Sequence, residues 1–212
     1  MDEARSRALQ SLAASTRRLV SATIRTGRDA GGLASMAGQI DQVSAMLERE
    51  IDDTFVQDDP FAWEADNIPA SFNPITGSCN PVAPPLEITE AGKEGVCAKG
   101  ILGAAYEGPP GHVHGGVLAA ILDQILGMAN RAAGHSGMTA SLAVDYRLPT
   151  PVGAELTMMG CHGGVDGRKI EASGRIMADG IVTCEAKGLF VSLKPETYDS
   201  YFGRRLFPKG SS

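Results

Sequence analysis

The segment Gly111-His112-Val113-His114-Gly115-Gly116-Val117-Leu118-Ala119-Ala120-Ile121-Leu122-Asp123 sets a single carboxylate into an otherwise apolar helix. From 117 to 133 the only polar residues are Asp123, Gln124, Asn130 and Arg131, which predicts a helix apolar nearly all round and buried in the core. An ionised group in such a place is costly unless it is paired or used. At 3.6 residues per turn Gly116, Ala120, Asp123 and Gly127 fall on one stripe, so residues with almost no side chain flank the carboxylate and leave room for a ligand. The glycine-rich start leaves unpaired N–H groups and the positive end of the helix dipole about two turns from Asp123. One helix thereby offers an oxyanion site and a carboxylate.

The 212 residues are 43% hydrophobic and 21% charged, which suits one globular domain with an appendage. A net charge of −6 argues against nucleic acid as a partner, because a phosphate-binding surface needs an excess of Lys and Arg. Cys79, Cys97, Cys161 and Cys184 form no Cys-x-x-Cys pair and no metal-ligand spacing with His, so they read as reduced and mostly buried. The expected compartment is the cytoplasm. No apolar run reaches the ~18 residues of a membrane span, and the N-terminus lacks a signal-peptide stretch, so stable membrane insertion is not expected. Arginines crowd the first 28 residues, where Asp2 and Glu3 are the only acids, and this leaves an organelle transit peptide as the alternative.

Residues 1–57 predict an N-terminal helical hairpin. Leu9, Leu12, Thr16, Leu19, Thr23 and Ile24 recur at helical spacing, as do Met36, Ile40, Val43, Leu47 and Ile51 after the Gly27 and Gly31-Gly32 break. The first helix is basic and the second acidic (Asp41, Glu48, Glu50, Asp52, Asp53), so they can complement each other or dock on the main domain or a neighbouring subunit. A non-aromatic stripe of this kind favours packing over lying on a membrane surface. Residues 58–85 read as a Pro-rich linker, in which Phe61, Trp63, Phe72 and Ile75 offer something to bury.

Residues 86–193 form the main domain, and residues 194–212 an irregular tail. A strand at about 96–106 leads through the Glu107-Gly108-Pro109-Pro110-Gly111 turn to the central helix. Strands follow at about 138–148, 154–162, 168–178 and 181–193, with Asp179-Gly180 as a tight hairpin. In the first of these four, Met138, Ala140, Leu142, Val144 and Tyr146 share one face, and Thr139, Ser141, Asp145 and Arg147 the other. Short antiparallel connections around one buried helix predict an α+β fold, a curved antiparallel sheet wrapped around a central helix.

His114-Gly115-Gly116 followed by Asp123 resembles the active-site motif of the hotdog-fold acyl-CoA thioesterases, in the phenylacetyl-CoA and 4-hydroxybenzoyl-CoA thioesterase branch. Gly137-Met138-Thr139-Ala140-Ser141-Leu142, Asp145-Tyr146-Arg147-Leu148-Pro149-Thr150-Pro151, Gly167-Arg168-Lys169 and Gly188-Leu189-Phe190-Val191-Ser192-Leu193 extend the similarity over about 86–193. The resemblance implies an acyl-CoA substrate, no cofactor, no metal, and a homodimer or homotetramer. It gives Asp123 the role of nucleophile or general base on water. It gives the Gly115 N–H the thioester carbonyl, and it puts His114 in the loop that positions the helix start. Thr139 supplies a hydroxyl that holds the attacking water, across a dimer interface in some relatives. Gly116 borders the substrate, and Arg147, Arg168 and Lys169 stand at strand edges where the family binds the CoA nucleotide. Some relatives carry glutamate in place of Asp123, which leaves attack and water activation both open.

The chemistry is coherent, since hydrolysis builds charge on the carbonyl oxygen and a fixed backbone donor stabilises it by about 3–4 kcal/mol. Simpler roles stand beside each assignment. Asp123 can pair with Arg131 or Arg147, His114 can merely cap the helix, Thr139 can serve β-propensity, and strand-end cations can be solvated. His112, His135 and His162 have no third ligand at metal spacing and are expected to do no chemistry. The alternative function is a non-catalytic acyl-CoA or lipid-binding protein on the same fold, which needs neither Asp123 nor Thr139. The small residues Ala119, Ala120, Gly127 and Ala140 suggest a roomy acyl tunnel.

Overall fold

The structure is a computed structural model that describes residues 2–51 and 71–192. Two helices, α1 (Glu3–Arg25) and α2 (Ala30–Glu48), precede strands β1 (Leu86–Gly92) and β2 (Gly95–Ile101). A 3-10 turn (Ala104–Tyr106) leads to helix α3 (Gly115–Ala132). Strands β3 (Met138–Tyr146), β4 (Glu155–Asp166), β5 (Lys169–Ala178) and β6 (Ile181–Val191) follow. The six strands form one sheet in the order β1-β2-β4-β5-β6-β3, with every neighbouring pair antiparallel. This is the expected sheet wrapped on one helix. The linker residues Phe61 and Trp63 and the tail at 194–212 lie outside the described residues.

Glycines in the strands let α3 settle into the sheet. Gly160 and Gly174 are paired across β4 and β5; a Cβ on Gly160 would stand 2.8 Å from the Ile125 side chain, and one on Gly174 would stand 2.9 Å from Leu126. Leu118, Ile121, Leu122, Ile125, Leu126, Met128 and Ala129 are buried there. The helix is not enclosed all round, however. Gly116 is exposed, and Ala120, Asp123 and Gly127 are half-buried, so the small-residue stripe with its carboxylate opens outward.

Several element boundaries differ from expectation. The predicted strand at 96–106 ends at Ile101, and β1, in a stretch of the main domain for which the sequence predicts no element, is a strand of its own. Its Glu87, Thr89 and Glu90 face solvent next to Pro84-Pro85, which gives little strand signal in sequence. The glycines at 163 and 164 do not end β4; a bulge between His162 and Gly164 carries the strand to Asp166. At the Asp179-Gly180 hairpin both residues have positive φ (50° and 79°), as a primed turn demands. In β3 only Leu142 and Val144 of the five expected core-face residues are shielded. The strand lies at the sheet edge, and its register shifts between Thr139 and Ser141.

Residues 71–85 are packed turns. Asn73 Oδ1 accepts from the Ile75 and Thr76 N–H groups at 2.8 and 3.0 Å, and its Nδ2 donates to Gln124 Oε1 at 3.2 Å, tying the segment to α3. Helix α1 rests on this segment through buried Ala13 and the Arg17 guanidinium, which donates to the Asn80 carbonyl at 2.8 Å. Burial raises the Tyr106 pKa, and nearby Arg17 opposes the rise. The expected hairpin does not form. Thr26 and Asp29 are extended, α2 does not fold back on α1, and it buries no residue.

Candidate functional site

The start of α3 is fixed before any side chain acts. Val113 N–H donates to the Thr150 carbonyl at 2.8 Å and His114 N–H to the Tyr106 carbonyl at 2.9 Å. His114 is the N-cap: its Nδ1 accepts from the Gly116 N–H at 3.0 Å, and its carbonyl accepts from the Val117 N–H at 2.9 Å. The bonded Nδ1 is therefore an acceptor in this arrangement. Three first-turn donors are thus occupied. Gly116, expected to border the substrate, has its N–H committed to the cap. The Gly115 N–H, by contrast, has no partner among the described residues, and it points from the positive end of the dipole.

Tyr146 was read in the sequence only as one of an alternating set. Its hydroxyl donates to the Gly115 carbonyl at 2.9 Å, and a Cβ on Gly115 would sit 3.2 Å from its ring. A side chain at 115 would push the ring aside by a few tenths of an ångström. The signal was weak, because the two residues are 31 apart and only the general need of a tyrosine hydroxyl for a partner hinted at it. Partial desolvation raises the Tyr146 pKa, with Cys184 adding to it. The hydroxyl stays a donor at neutral pH.

Asp123 lies two turns further along α3, half-buried and without a hydrogen bond or ion pair among the described residues. No pairing with Arg147 exists. That arginine donates to Glu185 Oε2 at 2.9 Å and approaches Asp145 at 3.5 Å, contacts that raise its pKa further. Arg147 sits on the sheet face turned away from α3. It lines a groove of about 550 Å³ with Arg175, Lys187, Met159 and Cys161 that includes no residue of α3.

Thr139 is exposed at the start of β3, opposite Phe190 of β6, whose ring approaches the Gly127 position to 3.6 Å. Lys169 and Met138 both pair with Val191, which brings the Arg168-Lys169 turn to this same end of the sheet. Two groups of residues result. Asp123, Gly127, Thr139, Arg168 and Lys169 lie toward the C-terminal half of α3, and His114, Gly115, Gly116 and Tyr146 lie at its N-terminus. The structure does not bring Arg147 to the α3 face at all.

The remaining histidines build structure. His162 Nδ1 lies 2.8 Å from Oδ1 of buried Asn130, and the His135 ring stacks on His162 at 4.8 Å. His112 Nδ1 lies 2.9 Å from the Pro110 carbonyl. All four cysteines are free; Cys79 and Cys184 are buried, whereas Cys161 is exposed, contrary to the mostly buried expectation. No helix among the described residues is long and apolar enough to cross a membrane.

Comparison with known proteins bears on this geometry. Residues 110–185 match the sequence profile of the Thioesterase superfamily, a span that contains the α3 start, Asp123 and Thr139. Acyl-coenzyme A thioesterase THEM4 of Xenopus laevis is 36% identical over 95 residues, covering 44% of this chain and 43% of that protein. The same enzyme of Rattus norvegicus is 34% identical over 96 residues, covering 44% and 41%. The chain thus spans less than half the length of these curated relatives. A crystal structure of a thioesterase superfamily protein superposes with a TM-score of 0.79 at 36% identity, covering 87% of this chain and 90% of that one. With a likeness of that extent, the chain belongs to the thioesterase superfamily.

Proposed function

We propose that the protein hydrolyses acyl-CoA thioesters to the free acid and CoA, at a site completed by a second copy of the chain. The observation that carries this is the pair of unpartnered groups on α3, the Gly115 N–H and the Asp123 carboxylate, within a thioesterase superfamily chain. The relatives named as acyl-coenzyme A thioesterases support the substrate class.

The distances argue for two copies. Gly115 and Asp123 are eight residues apart, about 12 Å along a helix at 1.5 Å per residue, too far for one thioester carbonyl to meet both. Thr139 and Tyr146 stand at opposite ends of β3, about 24 Å apart at strand rise. The outer edge of β3 has no strand neighbour among the described residues. Antiparallel pairing of two β3 edges about a two-fold axis sets the start of one strand beside the end of the other. The Asp123 and Thr139 of one copy then approach the Gly115 of the second, and a homodimer carries two equivalent sites.

In this arrangement the Gly115 N–H receives the thioester oxygen and stabilises its charge as the tetrahedral centre forms. Asp123 takes a proton from water, oriented by the Thr139 hydroxyl, as that water's oxygen attacks the carbonyl carbon; in the other route Asp123 attacks the carbon directly, and a water then splits the acyl–Asp123 anhydride into free acid and carboxylate. The CoA thiolate leaves and takes up a proton. Arg168 and Lys169 are the cations nearest this end for the CoA phosphates, while the ion-paired Arg147 is unsuited to that role. Four free cysteines support a reducing compartment such as the cytoplasm.

The test is Asp123→Asn, assayed by free-thiol release from a panel of acyl-CoAs. Turnover should fall about 100-fold or more with the fold and acyl-CoA binding retained. A folded variant with full turnover removes Asp123 from the chemistry. Binding without hydrolysis by the unaltered protein favours the non-catalytic acyl-CoA carrier instead.

A further inference from the structure

Helix α2 carries an apolar seam on which no other described element of the chain packs. Leu33, Met36, Ile40, Val43 and Leu47 follow one another at alternating spacings of three and four residues. Leu33 is 43% exposed, Ile40 38%, Val43 55% and Leu47 53%, with Met36 half-buried, so most of the seam faces solvent. A strict three-four spacing is narrower than the apolar face by which a helix lies on a sheet. It is the seam by which one helix packs along another.

Helix α1 carries the matching half. Leu9, Leu12, Thr16, Leu19 and Thr23 repeat the same spacing; the helix docks through Ala13 and Arg17, with Leu9 and Thr16 half-buried beside them, and this leaves Leu12 and Leu19 at 40% and 42% exposed and Thr23 exposed. The residues flanking both seams are uncharged: Ala13, Ser15, Val20 and Ala22 on α1, Ala37, Gln39, Ser44 and Met46 on α2. Two such helices can approach closely. The charges decide which helix meets which. Helix α1 bears Arg5, Arg7, Arg17, Arg18 and Arg25 against Glu3 alone, whereas α2 bears Asp41 and Glu48 and neither Lys nor Arg. Two α2 helices repel, and α2 against α1 attracts. Within one chain the extended residues at Thr26 and Asp29 hold the two seams apart.

The geometry points to exchange of α2 between two copies of the chain, the α2 seam of each lying along the α1 seam of the other. Such an exchange is an interface additional to the β3 edge and independent of the hydrolytic chemistry. It closes both apolar seams without folding either helix anew.

Cross-linking of the full chain tests this. In a Cys161→Ser background, which removes the exposed thiol, one tagged copy carries Leu19→Cys and a co-expressed untagged copy carries Val43→Cys; the pair is treated with a flexible bismaleimide. The tag should retain a covalent heterodimer, absent from the background protein. Adding Ile40→Asp to the untagged copy should cut its yield at least tenfold, with an unchanged circular dichroism spectrum and Tm. A heterodimer that forms equally well with Ile40→Asp overturns the proposal, as does the lack of any heterodimer. So does a chain bearing both cysteines that closes only on itself. Co-sedimentation with phosphatidylcholine–phosphatidylglycerol vesicles, lost on Ile40→Asp, would give the seam to a lipid surface and equally overturn the exchange.

Discussion

Helices α2 and α3 are near twins in local chemistry and opposites in environment. They span 19 and 18 residues, each opens near a glycine pair, and each is capped by a side chain that accepts from a first-turn N–H, Asp29 in one and His114 in the other. Both are rich in apolar residues and poor in charge. Yet α3 buries eight residues and α2 none. The difference lies in how the apolar residues are spread. In α3 they cover all but one stripe, so a sheet can wrap around the helix; in α2 all the large ones but Met46 keep to one seam, which needs only another helix. The contrast also bears on why the residues proposed to act on the thioester sit on α3. A wrapped helix with a single open stripe holds an unpartnered carboxylate in a fixed place.

The sharpest break of this comparison is a leucine truncated in each helix. Leu126→Ala removes a fully buried side chain seated between Gly174 and Gly188 and should lower stability by about 2–5 kcal/mol. Leu47→Ala, on the open seam, should change it by no more than about 0.5 kcal/mol in dilute protein. Urea titration reads both. Equal losses would mean that α2 is packed within its own chain.

Next in size is the open end of α3. A Cβ on Gly115 would press on Tyr146 at 3.2 Å, so Gly115→Ala should displace the free N–H and lower kcat roughly 10- to 100-fold with KM changing less. Adding Tyr146→Ala should restore part of that loss by relieving the crowding. No recovery would show that the methyl group acts on the substrate and not through the tyrosine. Tyr146→Phe alone removes one hydrogen bond, worth about 0.5–1.5 kcal/mol, and should cost roughly 2- to 10-fold in kcat.

The smallest expected effect concerns the thiols beneath and above the sheet. Burial, with Asp145 and Glu185 adding, pushes the Cys184 thiol up to about 11, while Cys161 is exposed. At pH 8 iodoacetamide should label Cys161 and spare Cys184, read by mass spectrometry. Because folding raises the Cys184 pKa, the native state favours the neutral thiol. Its contribution to stability is complete below pH about 9 and is lost as the pH climbs toward about 11. Cys184→Ser should flatten the alkaline fall in Tm across that window.

Much of the fold was legible because period and punctuation are local. The alternation in the β3 segment, the Asp179-Gly180 turn and the apolar run of α3 each announce their element within about a dozen residues. β1 was not legible, since its polar residues face solvent and a proline run precedes it. Nor was the second half of β4, where paired glycines mimic a turn but serve a bulge. At the site, His114, Gly115 and Asp123 could be picked out by their position in and before an apolar helix. Tyr146 could not.

By itself the sequence determined the helices, most of the strands, the glycine-rich start of α3 and its lone carboxylate. These depend on neighbours within a few turns of chain, where propensity and periodicity act directly. Only the tertiary structure decided which stripe of α3 stays open, that Arg147 faces away from it, that β3 ends at a sheet edge and that Tyr146 closes on Gly115. Each of those depends on contacts between residues far apart in sequence. Such contacts are set by which strand lies beside which, and no local pattern encodes that order.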